Sequence, residues 1–180
     1  MKSTNETKLA WLKEHVKGYD VQFNINDKDE IVICGNCYID DGNITELPYK
    51  ITKVVGNFIM SGLYPSPHKT KLSSLKNMPD VVTGDFDISC NEELTSLVGG
   101  PSHVFGRYKC NGCNLTSLEG IASEINSYIV AYNNKITELS ALENTKGWSH
   151  VDVEYNHEKL YESALYKKYI EVHKIYKSKF

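Results

Sequence analysis

The sequence predicts an α/β solenoid: about six coils, each giving one short strand to a parallel sheet, closed by an N-terminal helix plus β-hairpin and by a C-terminal helix. Three observations carry this prediction. One phrase returns five times, as NITEL (43–47), KLSSL (71–75), ELTSL (93–97), NLTSL (114–118) and KITEL (135–139), each running apolar, Thr or Ser, Ser or Glu, Leu. A second phrase alternates with it: CGNCYI (34–39), VGNFIM (55–60), TGDFDI (83–88), FGRYKC (105–110), INSYIV (125–130) and WSHVDV (148–153). With Cys37, Phe58, Phe86, Tyr108, Tyr128 and Val151 as equivalents, the steps are 21, 28, 22, 20 and 23 residues. One step is long; the others match a small solenoid coil of roughly 20–29 residues.

The phrases follow the pattern L-x-x-L-x-L-x-x-N/C-x-L, with one extra residue before the last position in the third and fifth coils, which makes the fold leucine-rich-repeat-like. The fourth coil supplies Phe105, Tyr108, Cys110, Cys113 and Leu115; the third supplies Thr83, Phe86, Ile88, Asn91 and Leu94. The fifth supplies Ile125, Tyr128, Val130, Asn133 and Ile136; the first supplies Cys34, Cys37, Ile39, Gly42 and Ile44. Alternate strand residues point inward. The Asn or Cys then satisfies buried backbone groups at the bend, which Gly42 has no side chain to do.

Residues 1–33 read as the N-terminal cap. Ser3 and Glu6 have capping-box spacing, Leu9, Leu12 and Val16 follow at helical intervals, and Val21, Phe23 and Ile25 alternate before the turn NDKD and the run EIVIC. The coils fill 34–156. The long step is an insertion near 62–69, GLYPSPHK, whose two prolines keep it out of the sheet; Tyr64, His68 and Lys69 are its contact groups. Residues 157–180 form the C-terminal cap, with one helix over about 157–178 and a stripe of Tyr161, Leu165, Tyr169, Val172 and Tyr176. The whole is one structural domain.

Two Cys-x-x-Cys pairs, Cys34/Cys37 and Cys110/Cys113, raise the question of zinc. The coil alignment answers it. Three of the four occupy apolar core positions and Cys113 the ladder position, and the pairs come from coils on the order of 14 Å apart at the strand spacing. No metal and no cofactor is expected. The net charge of -3 gives no general attraction to nucleic acid or anionic membrane. No apolar run reaches the roughly 20 residues of a membrane span, and MKSTNETK lacks a secretory leader, so the expected location is cytoplasmic.

No phosphate-binding glycine loop, HExxH or GxSxG occurs, and the histidines are scattered, so no catalytic residues are assigned and the chain reads as a non-enzyme. The outward rows of the strands are Asn36, Asn57, Asp85, Arg107, Ser127, His150; then Tyr38, Ile59, Asp87, Lys109, Ile129, Asp152; then Asp40, Ser61, Ser89, Asn111, Ala131, Glu154. Asp85 and Asp87 face Arg107 and Lys109 as cross-strand charge pairs. Partner-binding candidates are Tyr38, Asp40, Tyr64, His68, Lys69, Asp87, Arg107, Lys109, Tyr132, Asp152, Glu154 and Tyr155. A second reading is nucleic-acid binding through Lys159, Lys167, Lys168, Lys174, Lys177 and Lys179 with interleaved tyrosines. A third is a metal-dependent hydrolase using His150, Asp152 and Glu154, which share one face of the last strand.

The phrases TGDFDISCNEELTSLVGGPSHVFG and CNGCNLTSLEG resemble the degenerate leucine-rich repeats of tailed-bacteriophage proteins, over about residues 34 to 156. The resemblance implies a small non-enzymatic accessory product that binds protein through its strand face. It also implies a bacterial host target, such as a defence or regulatory factor, that the chain inhibits or modulates in the host cytoplasm. The 62–69 insertion and the Lys-rich terminus depart from the repeat pattern.

Overall fold

The computed structural model describes residues 4–62, 70–172 and 175. In chain order the elements are α1 (Thr4–His15), β1 (Val16–Lys17), β2 (Gln22–Ile25), β3 (Ile31–Cys34), β4 (Cys37–Ile39), β5 (Ile51–Val55) and β6 (Phe58–Ile59). They continue with β7 (Val81–Val82), β8 (Phe86–Asp87), β9 (His103–Val104), β10 (Tyr108–Lys109), β11 (Glu124–Ile125) and β12 (Ile129–Val130). A 3₁₀ turn (Ser140–Asn144), β13 (Val151–Asp152), α2 (Glu158–Glu162) and α3 (Ala164–Glu171) complete them. The result is a parallel-strand β-solenoid with helical caps. No helix among the described residues is long and apolar enough to cross a membrane.

The first five coils each give a strand to two sheets, where the sequence pattern had placed one strand; the last gives only β13, with a single bridge from Lys146 to Glu124 behind it. The front sheet runs β1-β4-β6-β8-β10-β12-β13, with all pairs parallel except β1–β4. The back sheet runs β11-β9-β7-β5-β3-β2, parallel except for the β2–β3 hairpin. Between the two strands of a coil the chain turns a tight corner at Gly56, Gly84 or Gly106. A Cβ on Gly84 would lie 2.2 Å from Asn57 Oδ1 and 2.8 Å from the Gly56 carbonyl, so the corner at Gly84 admits only glycine. Ser127 and Ser149 take this position in the last two coils, where the Ser149 amide bonds the Ser127 carbonyl.

This corner corrects the inward positions. Four residues, not three, separate the core residue of the back strand from that of the front strand. Val82 precedes Phe86 and Val104 precedes Tyr108, all buried. Thr83 and Cys34 face outward and Phe105 is exposed, while Ile33 is buried. The same step makes Ile129, not Tyr128, the core residue of coil five, pairing with Tyr108 and Val151. Ala131 is buried where Val130 was expected, and the ladder residue is Asn134 in place of Asn133, which has φ 55°.

Inside, Phe58 and Phe86 stack at 5.6 Å and Tyr108 tilts against Phe86 at 5.1 Å. Along one bend runs a polar ladder. Asn91 donates to the carbonyls of Met60 and Ile88 and accepts from the Leu72 amide and the Thr70 hydroxyl. Asn134 donates to the Cys110 and Ala131 carbonyls and accepts from the Leu115 amide, and Asn156 repeats the scheme with Ala131, Val153 and Ile136. Cys113 fills the remaining rung, its thiol donating to the Ile88 carbonyl at 3.5 Å. Burial pushes the thiols of Cys37 and Cys113 up to about 12 and that of Cys110 well above its ordinary value. These three cysteines are structural, and Cys34 is exposed.

Among the described residues the buried Tyr108 hydroxyl has no hydrogen-bond partner, and burial drives its titration well above the usual phenol value. Replacing Tyr108 by Phe removes that unmet group while keeping the ring. The expected result is a gain of ~1 kcal/mol in urea unfolding.

The caps follow from the exposed ends of the stack. Leu12 and Val16 are buried against the first coil. β1 covers the free edge of β4, with Val16 opposite Ile39, a pairing the sequence did not announce. The hairpin covers the back sheet, with Phe23 opposite Ile33. At the far end the single helix expected over 157–178 is two. Ser163 is extended (ψ 145°), ends α2 and caps α3 by accepting from the Tyr166 amide at 3.2 Å. Leu160 and Tyr169 are buried, Tyr169 edge-on to Trp148 at 5.3 Å, whereas Val172 is exposed. Ile175 bridges to Val151 and extends the sheet by one residue. Ser3 and Tyr176 lie outside the described residues.

Candidate protein-docking face

The outer surface of the front sheet divides into two halves. In the first, polar groups are occupied by the fold itself. Asn36 accepts from the Asn57 amide, Asn57 from Asp85, and Asp85 from Arg107, each side-chain oxygen holding the next coil at 2.8–3.0 Å. Arg107 returns a two-point contact to Asp85 (Nε 2.9 Å, Nη2 2.7 Å). Burial alone would raise the Asp85 carboxyl, but the Arg107 bonds and the charges of Arg107 and Lys109 hold it below the usual range. Asp87 is 8% exposed. Its Oδ1 accepts from the amide and hydroxyl of Ser89, and its Oδ2 meets Lys109 Nζ at 3.1 Å. The cross-strand pairs thus form as the alignment predicts, and they leave Asp87 little surface for a partner.

The second half is different. With coil five realigned, its outward column is Tyr128, Val130 and Tyr132 in place of Ser127, Ile129 and Ala131. Tyr128 is 50% and Tyr132 36% exposed, on either side of β12. The column lies between Arg107 and Lys109 on one side and His150, Asp152 and Glu154 on the other. Tyr128 meets the His150 ring edge-on, centroids 5.5 Å apart. A depression of ≈ 360 Å³ opens here, lined by Tyr128, Ile129, Val130, His150 and Asp152. Among the described residues no cation pairs with Asp152; its Oδ1 accepts from the Glu154 amide at 3.2 Å. Burial raises the Asp152 carboxyl, the Glu154 amide opposes this, and the Glu154 charge adds to it.

That raised titration has a sign for stability. A carboxyl favoured in its protonated form by folding weakens the native state once pH exceeds its folded value, and the penalty fades as pH falls through it. Asp152→Asn should therefore stabilise the chain at pH 7, by less than ~1 kcal/mol because the group is half in solvent, and raise its melting temperature accordingly. The gain should vanish below the ordinary Asp range, near pH 3.9. Thermal melts across pH check both arms.

Of the other candidates, Tyr38 is exposed and Asp40 half-buried at the first coil, and Tyr155 is exposed in a left-handed turn beyond β13. Tyr64, His68 and Lys69, with the insertion that carries them, lie outside the described residues. Lys159, Lys167 and Lys168 are exposed on α2 and α3, but the neighbouring Tyr161 and Tyr166 pack edge-on against each other at 5.1 Å. Lys174, Lys177 and Lys179 are outside the described residues. His150, Asp152 and Glu154 alternate through β13 and its two flanks, and among the described residues no group of three or more His, Cys, Asp or Glu is placed to hold a metal ion. The alignment missed Tyr128 and Val130. The signal was present in the four-residue step from Val82 to Phe86 and from Val104 to Tyr108, which requires Ile125 to lead to Ile129.

Fold and face together define a capped parallel β-solenoid of α/β class with a mixed aromatic and acidic outer surface at its C-terminal end. No family model, curated protein or solved structure matches the chain.

Proposed function

We propose that the chain is a non-enzymatic protein-binding module that docks its partner on the front sheet over coils four to six. The observation that carries this reading is the Tyr128–Val130–Tyr132 column, half-exposed apolar surface held rigidly between cationic and anionic neighbours. Tyrosine on a preorganised surface contributes contact area at little conformational cost. The repeat phrases support a phage-encoded product, and hence a bacterial host protein as partner, such as a defence factor that the chain inhibits or modulates.

The test is capture from a bacterial lysate by the tagged chain, with Tyr128→Asp/Tyr132→Asp and Lys167→Glu/Lys168→Glu variants in parallel. A protein retained by the wild type and the lysine variant but lost from the tyrosine variant supports the reading. A capture that the tyrosine variant keeps, and that nuclease or the lysine variant removes, overturns it in favour of nucleic acid.

A further inference from the structure

We infer that the depression between Tyr128 and Asp152 is a subsite for an arginine side chain of the bound protein; this rests on the docking face proposed above and names what that face recognises. Among the described residues the floor is Ile129, the walls are the Tyr128 and His150 rings and Val130, and the one acidic group lining it is Asp152. Register sets these groups diagonally: Tyr128 stands opposite His150 and Val130 opposite Asp152, because Ile129 pairs with Val151 and Val130 with Asp152. One strand across and two residues along, the Cα atoms of Tyr128 and Asp152 are roughly 8 Å apart. A flat guanidinium fits between an aromatic face on one side and a carboxylate on the other, with its alkyl stem over Val130.

The chemistry selects a cation. An aromatic face attracts positive charge, and the Asp152 carboxylate has no cation among the described residues, its one hydrogen bond being from the Glu154 amide. Among the described residues, the cations on the neighbouring strand are engaged elsewhere, Arg107 by Asp85 and Lys109 by Asp87. Burial disfavours the charged form of Asp152, so a partner's cation would relieve a strain that the free protein carries. Arginine is preferred to lysine because a planar guanidinium stacks on a ring while donating two bonds to one carboxylate.

The experiment is an amide chemical-shift titration of the full-length labelled chain with N-acetyl-arginine amide, and with N-acetyl-citrulline amide as the neutral isostere. The expected result is saturable shifts at Tyr128, Val130, His150 and Asp152, at least roughly tenfold weaker affinity for citrulline, and loss of the response in Asp152→Asn. A Tyr128→Leu chain, which keeps the apolar bulk, should weaken binding without abolishing it. Equal response to citrulline, shifts elsewhere, no shifts, or an unchanged titration in Asp152→Asn would overturn the assignment. The two proposals separate cleanly. Tyr128-dependent protein capture without the arginine response removes the subsite and leaves the docking face, and arginine binding without any captured protein does the reverse.

Discussion

Asn91→Ala should destabilise the chain by ~3–4 kcal/mol in urea unfolding, since each buried backbone group left unpaired costs about 1–3 kcal/mol. Asn91 is fully buried, and its amide holds the Met60 and Ile88 carbonyls while its oxygen holds the Leu72 amide and the Thr70 hydroxyl. Met60 precedes and Thr70 follows the long insertion, so one side chain ties both ends of it to the stack. Water cannot replace these bonds in a closed bend. Asn91→Asp keeps the acceptor but puts a carboxylate against two carbonyls, and it should be as damaging at pH 7. A loss below about 1 kcal/mol for Asn91→Ala would mean the ladder is not what fixes the insertion to the scaffold.

The second large effect is in the aromatic stack. Phe86→Ala should cost ~3–5 kcal/mol, the range for deleting a buried ring whose cavity cannot collapse. Phe86 is fully buried between Phe58 and Tyr108, each from a neighbouring coil, and backbone bonds between coils fix the spacing of all three. Phe86→Leu, which refills most of the volume, should recover more than half of the loss. Because each coil touches only its neighbours, a lesion in coil three can also uncouple the N-terminal coils from the C-terminal ones. A lower slope of free energy against urea would report that loss of cooperativity.

What the sequence disclosed follows from which features carry a chemical signature. The coil period, the leucine corners and the Asn91 and Cys113 rungs were legible because few residue types can occupy those positions. So were the Asp85–Arg107 and Asp87–Lys109 pairs, since opposite charges at equivalent repeat positions must meet across parallel strands. The back sheet was hidden because its strands β7, β9 and β11 are two residues long, too short for any alternation to register. The slip at coil five has a related cause: Tyr128, Ile129 and Val130 are all apolar, so composition alone does not tell which faces in. The glycine corner does tell, through the constant step behind it, but INSY carries serine there and loses that marker. The break at Ser163 was masked because Tyr161, Leu165 and Tyr169 keep helical spacing across it, while the capping serine is one residue among many. β1 lay within the capping segment, where Val16 and Lys17 read as the end of a helix.

These corrections change the site more than the fold. Reading Ser127, Ile129 and Ala131 as the outward column makes the face bland; Tyr128, Val130 and Tyr132 make it an exposed aromatic surface beside an acidic strand. Charged groups at the first half of the sheet, Asp87 above all, belong to the scaffold.

The central claim, that a partner protein sits on the front sheet over coils four to six, is tested most directly by site-specific photocrosslinking. A benzophenone side chain at Tyr132 or Lys109 should link to the captured protein in high yield. The same probe at Tyr19, an exposed aromatic between β1 and β2 at the N-terminal end of the stack, should not. Crosslinks from Tyr19 with none from Tyr132 and Lys109 would contradict the account.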